Sequence, residues 1–242
     1  MTGTIINIIT VLAGSALGVL LGSRLRAEMS ETVLRGLGLV TFAIGVSMTL
    51  ATANILIVLG AVLVGGILGE WGRIEDRLNG VGAWLEERFN RGRTDEEDGN
   101  RFIRGFVTAS LLFCVGPMTI LGSIQDGLSG DYRLLTIKAM LDGFAALAFS
   151  STLGIGVAFS ALVILVFQGG LSLLAAQAQA FLTDPMIAEM TATGGILIMG
   201  LAVSTLLEIK PIRVGNFLPA LVIAPLVVWA LDLLGLPLAP VF

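Results

Sequence analysis

The apolar pattern of this chain is interrupted near its middle by the stretch Gly116-Pro-Met-Thr-Ile-Leu-Gly-Ser-Ile-Gln-Asp-Gly-Leu-Ser-Gly-Asp131. It combines glycines and a proline with two carboxylates, and Lys138 and Asp142 follow in the next apolar segment. An ionisable group at membrane depth costs roughly 2.5–3.5 kcal/mol on insertion scales, so such groups usually form pairs or line a wet cavity. If the protein has a working site, we expect it here.

The composition is that of a membrane protein. Of the 242 residues, 55% are hydrophobic and 13% are charged, and the mean hydropathy is +0.94. Soluble domains carry about 25% charged residues, which excludes a soluble domain. The first apolar run has no basic residue before it, because the first one, Arg24, follows the run. We therefore expect a retained first helix and not a signal peptide.

The residue types exclude several classes of function. The chain has no histidine and a single cysteine, Cys114. A histidine-based triad or proton relay, a zinc site, a cysteine metal site and a disulfide framework are therefore excluded. The sequence has no ATPase-type phosphate-binding loop, and no basic face for nucleic acid occurs outside the loops. We expect neither an enzyme nor a bound cofactor or metal.

Eight apolar segments approach the ~17–25 residues that a helix needs to cross a membrane. The boundary after Ser151 is indistinct, so seven spans plus a re-entrant segment is the alternative count. The sequence predicts an all-α fold, a polytopic transmembrane helical bundle of about seven to eight spans. The segments are 4–22, 33–51, 54–70, 102–123, 133–149, 153–176, 187–207 and 213–235.

The basic residues are concentrated in the first, third and seventh connections, and only Arg133 and Lys138 lie elsewhere. These three connections fall on one side of the membrane. The positive-inside rule therefore places them in the cytoplasm and both termini outside. The residues are Arg24, Arg26, Arg35, Arg73, Arg77, Arg88, Arg91, Arg93, Arg101, Arg104, Lys210 and Arg213.

We divide the chain into an N-terminal membrane half of three spans (1–70), a cytoplasmic segment (71–100) and a C-terminal membrane half of four to five spans (101–242). Apolar residues recur at helical spacing in the middle segment, with charged residues between them. This pattern predicts an amphipathic helix on the cytoplasmic interface, followed by a polar linker. It is a surface anchor or, alternatively, a partner-binding element. The apolar residues are Trp71, Ile74, Leu78, Val81, Trp84, Leu85 and Phe89.

The two halves share a faint sequence similarity. Residues 38–47 (GLVTFAIGVS) are similar to residues 195–204 (GILIMGLAVS), and Gly22-Ser23 corresponds to Gly122-Ser123. The matched segments are an odd number of spans apart, so they run in opposite directions, as in the inverted repeats of transporters. Chance similarity between glycine-rich helices is the alternative.

Glycines at four-residue spacing lie on one face of the first segment, at Gly14, Gly18 and Gly22, and of the third, at Gly65 and Gly69. Small residues let helices approach closely within a membrane. We expect these faces to pack against other helices, and a homodimer contact is the alternative. Other polar residues within spans, such as Asn7 and Gln168, are expected to make hydrogen bonds between helices.

The candidate site combines a broken helix with oxygen ligands. Gly116 and Pro117 loosen the helical hydrogen bonding, which is tolerated at membrane depth only inside protein or beside a wet cavity. Side-chain oxygens follow in the same stretch and would suit a hard cation, although their spacing matches no metal motif. The alternative is an ordinary polar outer loop. The oxygen-bearing residues are Ser123, Gln125, Asp126 and Asp131.

Lys138 and Asp142 lie four residues apart, on one face of a helix, and can form a charge-assisted pair. The pair has two interpretations. It is structural and holds the fifth segment against its neighbours, or one of its members exchanges its partner for a proton or a charged solute. Asp142 is the better candidate for exchange, because Lys138 can extend toward the outer interface.

Three parts of the sequence form a recognisable pattern: the run from Phe113 to Asp131, Lys138 with the Leu141-Asp-Gly143 that follows it, and the late segment 208–220. In these parts the sequence resembles the Domain of Unknown Function 554 family of bacterial membrane proteins. The resemblance implies a polytopic inner-membrane protein that is usually supposed to be a transporter. Pro117 departs from the family pattern, where a small residue is expected.

We therefore predict a secondary transporter or channel for a small solute or ion across the bacterial inner membrane. Its site would combine the broken helix 116–131 with Lys138 and Asp142. Its expected partners are the lipid bilayer and a small charged solute or ion. The alternative is a non-transporting scaffold or subunit that dimerises through its glycine-rich helix faces.

Overall fold

The structure is a computed structural model that describes residues 1–22, 26–89 and 96–238. Predictions that concern Ser23, Arg24, Arg91 and Arg93 lie outside the described residues. The α-helices are α1 (Thr2–Gly22), α2 (Ala27–Thr49), α3 (Ile55–Trp71), α4 (Ile74–Phe89), α5 (Glu96–Cys114), α6 (Pro117–Ser129), α7 (Arg133–Leu153), α8 (Ser160–Leu173), α9 (Ala175–Phe181), α10 (Asp184–Leu201) and α11 (Ala220–Leu233).

The predicted all-α fold is confirmed, since the described ranges contain helices and no strand. Five helical runs are long and apolar enough to cross a membrane, and the number rises to seven if each of two bent pairs is one span. The bent pairs are α3 with α4, at 58°, and α5 with α6, at 63°. The five runs are Thr2–Gly22, Glu31–Thr49, Arg133–Leu173, Asp184–Leu206 and Val214–Leu233.

One of these runs, Arg133–Leu173, reverses its direction. A straight helix of its 41 residues would be about 60 Å long. Instead, Asn7 of α1 donates hydrogen bonds both to Asp142 of α7 and to Gln168 of α8. The reversal occurs at the 3₁₀ segment that begins at Gly154, whose φ of 78° favours glycine. The predicted segments 133–149 and 153–176 are therefore two arms that run in opposite directions, and both contact α1.

The glycine faces of α1 and α3 are covered by other helices of the same chain. A Cβ added at Gly14 would collide with the carbonyl oxygen of Gly143 in α7, and one at Gly65 would lie 2.5 Å from the Ala220 nitrogen. Gly18 and Gly22 also meet α7, and Gly69 meets the residue Asn216 before α11. These faces are used inside the chain, so a homodimer would need a different surface.

Two helix pairs pack in antiparallel fashion. Gly45 of α2 and Gly195 of α10 cross so closely that a Cβ on either would lie 2.8 or 2.5 Å from the carbonyl oxygen of the other. In the second pair, Ile57 and Ala61 of α3 share a core cluster with Ala224 of α11. The small residues at both crossings permit this close approach.

Helix α4 occupies most of the segment predicted to be an amphipathic helix. Leu85 packs into a cluster with Phe102 and Phe106 of α5, whereas Trp71 and Trp84 are 86% and 61% exposed. This division between a packed face and exposed tryptophans fits the predicted pattern. The location of α4 at the membrane interface stays a prediction.

Candidate functional site

The predicted pair Lys138–Asp142 lies within the packed bundle. Both residues are buried, and the Lys138 ammonium donates a hydrogen bond to Asp142 Oδ2. The same carboxylate oxygen accepts a second hydrogen bond from Asn7 Nδ2 of α1, at 3.0 Å. Asp142 is therefore bonded along its own helix and across to α1.

The hydrogen bonds continue to a third helix. Asn7 Nδ2 also donates to Gln168 Oε1 of α8 at 3.0 Å, and Gln168 Nε2 donates to Thr4 Oγ1 at 3.2 Å. These three residues are fully buried. The polar cluster is Thr4, Asn7, Lys138, Asp142 and Gln168, and it joins α1, α7 and α8.

One acceptor in the polar cluster has no partner in the part of the chain that the structure describes. Asn7 Oδ1 is buried and accepts no hydrogen bond from any described residue. Because its amide nitrogen faces two oxygen acceptors, a rotation of the amide would place oxygen against carboxylate and is unfavourable. The free oxygen beside a charged pair is a position where a cation, a proton donor or a water molecule could be held.

Asp126 is the second buried carboxylate of the predicted site. Its Oδ2 accepts from the backbone nitrogen of Gly3 at 3.1 Å and pairs with the α-amino group of Met1 at 3.1 Å. Its Oδ1 is buried without a partner among the described residues. Asp126 thus joins α6 to the start of α1, and none of these contacts includes Lys138 or Asp142.

The structure does not bring every predicted residue to the polar cluster. Ser123 is buried, but its hydroxyl donates to the Thr119 carbonyl in its own helix. Gln125 is exposed, and Asp131 pairs with Arg133 at the surface at 3.3 Å. Pro117 is the first residue of α6, and its side chain lies outside the described part of the chain.

The helix break lies where Gly116 and Pro117 predict it. The Phe113 carbonyl, near the end of α5, accepts from Thr119 Oγ1 of α6 at 3.2 Å. A cavity of about 330 Å³ adjoins the break at Gly116. Neither Asp126 nor Asp142 lines this cavity, so the cavity does not connect all parts of the predicted site. Cys114 lines the cavity and lies within electrostatic range of the charged pair.

Sequence reasoning missed Glu189, a fully buried carboxylate in α10. Its Oε1 accepts from the backbone nitrogens of Ala53 and Asn54, at 2.8 and 3.1 Å, and its Oε2 accepts from Thr52 Oγ1 at 2.6 Å. These groups precede α3, where free amides and the helix dipole favour a negative charge. An acidic residue inside an apolar run was the signal that could have identified it.

A second carboxylate, Glu75 of α4, makes a comparable contact before α11. It accepts from the Gly215 nitrogen, and its own backbone nitrogen donates to Asn216 Oδ1 at 2.8 Å. Glu70 binds the Asn216 amide and pairs with Arg213 at 3.0 Å. Burial raises the pKa of Glu75, although the Gly215 amide and Arg213 act in the opposite direction.

These two contacts lie at opposite ends of the bundle. Ala53-Asn54 precede α3 and Gly215-Asn216 precede α11, and in each case the amide before the asparagine donates to a buried or half-buried carboxylate. Because α3 and α11 run antiparallel, one contact lies at each end. We call them the carboxylate contacts of Glu189 and Glu75.

The comparison with known proteins identifies the family. Residues 2–229 match the family described as "Protein of unknown function (DUF554)". The chain belongs to the DUF554 family. It is 32% identical over 242 residues to the "Uncharacterized membrane protein YdfK" of Bacillus subtilis (strain 168), covering 98% of this chain and 99% of the relative. It is also 32% identical over 222 residues to the "Uncharacterized protein YqgA" of Escherichia coli (strain K12), covering 92% and 94%.

The resemblance noted from the motifs is therefore confirmed over nearly the whole chain. The relative's description as a membrane protein and the apolar helices agree that this DUF554 protein is a helical membrane protein. No solved structure matches it. The descriptions of the family and of these relatives state no activity.

Proposed function

We propose that this protein is a secondary transporter or channel for a small solute or ion in the bacterial inner membrane, and not an enzyme. The observation that carries the proposal is the buried Lys138–Asp142 pair, which Asn7 connects to a third helix beside a broken helix. Asn7 Oδ1, which accepts no hydrogen bond from the described ranges, supports a role in binding a cation or a proton donor.

In a buried ion pair, each charge depends on the other for compensation, so a change at one member affects the other. Removing two charges from water is costly, and their attraction offsets the cost only while both remain. A cation or proton that reaches Asp142 would replace the Lys138 ammonium as its partner. The displaced ammonium would then need an anion or water. Exchange at this pair would therefore couple the binding of a charged species to a movement of α7 relative to α1 and α8.

The arrangement of helices supports an inverted repeat. The similar segment 38–47 lies in α2, and 195–204 lies in α10 and the π-helical turn that follows it. Helices α2 and α10 pack in antiparallel fashion at Gly45 and Gly195. The following helices, α3 and α11, also pack in antiparallel fashion. In transporters with inverted repeats, one repeat moves against the other around a central site. The carboxylate contacts of Glu189 and Glu75 would then hold the two ends closed.

We also propose the orientation that the basic loops favour. Both termini would lie outside and α4 would lie on the cytoplasmic face. Arg104 bonds Glu208 at 2.7 Å and Arg213 bonds Glu70 at 3.0 Å, so basic residues of separate loops gather at one end of the bundle. This clustering agrees with the positive-inside rule.

A ligand screen tests the proposed site. Purified protein would be heated with sodium, potassium, magnesium, phosphate, acetate and the common amino acids, each added separately. A solute that binds the folded protein raises its melting temperature. We expect at least one such rise, its loss in Asp142→Asn, and its persistence in Asp131→Asn, which changes an exposed carboxylate. An equal rise in Asp142→Asn would exclude Asp142 from the site.

The scaffold alternative is favoured by one observation, the pairing of Lys138 with Asp142 inside the bundle. A scaffold needs the pair only for stability, so no solute in the screen should shift the wild-type melting temperature. Its partner surface would have to lie outside the covered glycine faces. A screen without any shift would therefore support the scaffold over the transporter.

A further inference from the structure

The exposed side of α4 carries a line of basic and apolar side chains. Its members recur at intervals of four, three and four residues, which places them on one side of the helix. They are Arg77, Val81, Trp84 and Arg88, all of them exposed, and we call them the basic stripe of α4. On the other side of the helix, Leu85 packs against α5.

The two arginines of the stripe form no ion pair with any described residue. The other arginines nearby differ from them, since Arg73, Arg104 and Arg213 each pair with a carboxylate. An arginine that has no counter-ion within the protein is available to an external anion, and its planar guanidinium group suits phosphate. Arg77 and Arg88 are therefore two positive charges available to such a partner.

The carboxylates of α4 lie off the stripe; they are Glu75, Asp76, Glu86 and Glu87. The first accepts from the Gly215 nitrogen, and the second pairs with Arg73. The third lies beside the start of α5, since a Cβ added at Gly99 would be 3.8 Å from its carboxyl group. The fourth is exposed and lies about 100° around the helix from Arg88. The stripe is therefore positive, although α4 carries more acidic than basic residues.

The stripe follows the end of a lipid-facing surface. Leu63, Ile67 and Trp71 are exposed at four-residue spacing along the apolar helix α3. This line ends at Trp71, and tryptophan is enriched where a membrane meets water. Helix α4 begins three residues later, at Ile74, after the bend of 58°. The stripe thus begins at the level where the exposed side of α3 reaches the lipid headgroups.

We propose that the basic stripe of α4 binds the headgroups of anionic phospholipids in the membrane around the protein. Arg77 and Arg88 bind phosphate, and Val81 and Trp84 between them enter the interface, as in helices that lie on a membrane surface. The apolar members of the stripe and its position after the lipid-facing side of α3 favour a lipid over an acidic protein. The proposal does not depend on transport, because no residue of the stripe belongs to the polar cluster.

Fluorescence quenching by brominated lipids tests this proposal. A protein that keeps Trp84 as its single tryptophan (Trp71→Phe/Trp229→Phe) would be reconstituted with phosphatidylcholine and phosphatidylglycerol in a fixed ratio. The bromine, on the acyl chain close to the headgroup, would be carried by one lipid or by the other. Corrected for the amount of each lipid, brominated phosphatidylglycerol should quench Trp84 about fivefold more strongly at low salt. The preference should weaken as salt is added, because salt screens the attraction.

Matched variants locate the preference on the stripe. In the protein that keeps Trp84, Arg77→Gln/Arg88→Gln should make the two lipids quench about equally. Arg133→Gln, which changes an exposed arginine of the loop before α7, should keep the preference. A second single-tryptophan protein that keeps Trp229, an exposed residue near the end of α11, should show no preference for phosphatidylglycerol.

Melting temperatures would verify that each variant is folded, and the salt series on the unchanged stripe serves as the test if the double arginine variant does not fold. Equal quenching of Trp84 by the two brominated lipids would overturn the proposal, and this is the result expected if an acidic protein covers the stripe. A preference that persists in Arg77→Gln/Arg88→Gln, or that salt does not weaken, would also overturn it. Absence of quenching by either lipid would show that the stripe does not reach the bilayer.

Discussion

Asp142 is the residue on which the hydrogen bonds of the polar cluster converge. One of its carboxylate oxygens accepts from both Lys138 and Asn7. Removing one member of a buried ion pair leaves a charge without compensation, whereas replacing both by apolar residues can be nearly neutral. The contribution of the pair is therefore visible only when single and double variants are compared.

Either Lys138→Met or Asp142→Leu alone should lower the free energy of unfolding by about 3–5 kcal/mol. The double variant should lose clearly less than the sum of the two, because no charge is left unpaired. Denaturant unfolding in a fixed detergent micelle measures this coupling. Asp131→Asn, which breaks the exposed pair with Arg133, should change stability by less than about 1 kcal/mol. Additive losses in the double variant would mean that the two charges do not interact.

At the residue scale, the sequence predicts interactions that are close along the chain. The spacing of Lys138 and Asp142 was enough to predict their pairing. Asn7 and Gln168 were predicted to bond between helices, but their convergence on Asp142 depends on how α1, α7 and α8 pack. Glu189 was missed because its partners, Thr52 to Asn54, lie far away in sequence and are mostly backbone groups.

At the scale of elements, Glu189 connects α10 to the start of α3. Glu189→Gln keeps the shape of the side chain but replaces one acceptor oxygen by a donor. The glutamine oxygen can still accept from the Ala53 and Asn54 nitrogens, but its NH₂ group would face Thr52 Oγ1, whose hydroxyl proton loses its acceptor. The negative charge at the start of α3 is also lost, so the variant should lose about 1–3 kcal/mol of stability. Hydrogen exchange should also accelerate at the amides of Ala53 and Asn54.

The matched control for that substitution is Glu31→Gln, because Glu31 forms an exposed pair with Arg35 within α2. It should leave both the stability and the exchange at Ala53 unchanged. Exchange at Ala53 and Asn54 that is as slow in Glu189→Gln as in the wild type would show that the carboxylate does not hold the start of α3.

Glu75 makes the opposite end of the bundle sensitive to pH. Burial raises the pKa of Glu75 above its ordinary value of 4.5. The folded protein therefore holds this proton more tightly than the unfolded chain, and the stability from Glu75 is fully present below pH 4.5 and lost as the pH rises through the folded pKa. Melting temperatures of the wild type should thus fall over this window relative to Glu75→Gln. Parallel pH profiles of the two proteins would contradict this assignment.

Helices and breaks were the elements best predicted from the sequence. Apolar length gave the spanning helices, and Gly116-Pro117 gave the break between α5 and α6. The reversal at Gly154 was only an indistinct boundary in the sequence, because the segments on either side are both apolar and helical. The angle of 63° between α5 and α6 depends on the helices that surround them, which no local pattern contains.

At the scale of the whole molecule, the proposed orientation places α4 and the outer loop before α7 on opposite sides of the membrane. In a variant that lacks Cys114, the substitution Gly80→Cys should react with a membrane-impermeant maleimide only when the reagent has access to the cytoplasmic face. A cysteine at Ser129 should react in intact spheroplasts. Both positions are exposed. The reverse pattern of labelling would show that the orientation is opposite to the proposed one. Equal labelling of both cysteines from one side would exclude the proposed orientation.

The sequence predicted the membrane bundle as a whole but could not assign the helix pairs. Composition and apolar length identify a helical membrane protein without any knowledge of contacts. Which glycine face meets which helix is a different matter, since Gly14 could equally have met another copy of the chain. Its contact with Gly143 follows from the packing of all helices together. The same packing places α2 and α10, whose sequences are faintly similar, next to each other in antiparallel fashion.

The central claim is that a solute or ion crosses the membrane by way of Asp142, and current recordings test it most directly. Proteoliposomes on a solid-supported membrane would receive concentration jumps of each solute in the screen, with the folded state of every variant verified by its melting temperature. The Lys138→Met/Asp142→Asn double variant replaces Asp142→Asn if the single variant does not fold. We predict a solute-evoked current in the wild type and in Asp131→Asn, and at least a tenfold smaller one (about 1.4 kcal/mol) in the Asp142 variant. Equal currents in the wild type and the Asp142 variant, or no current from the wild type with any solute, would contradict the account.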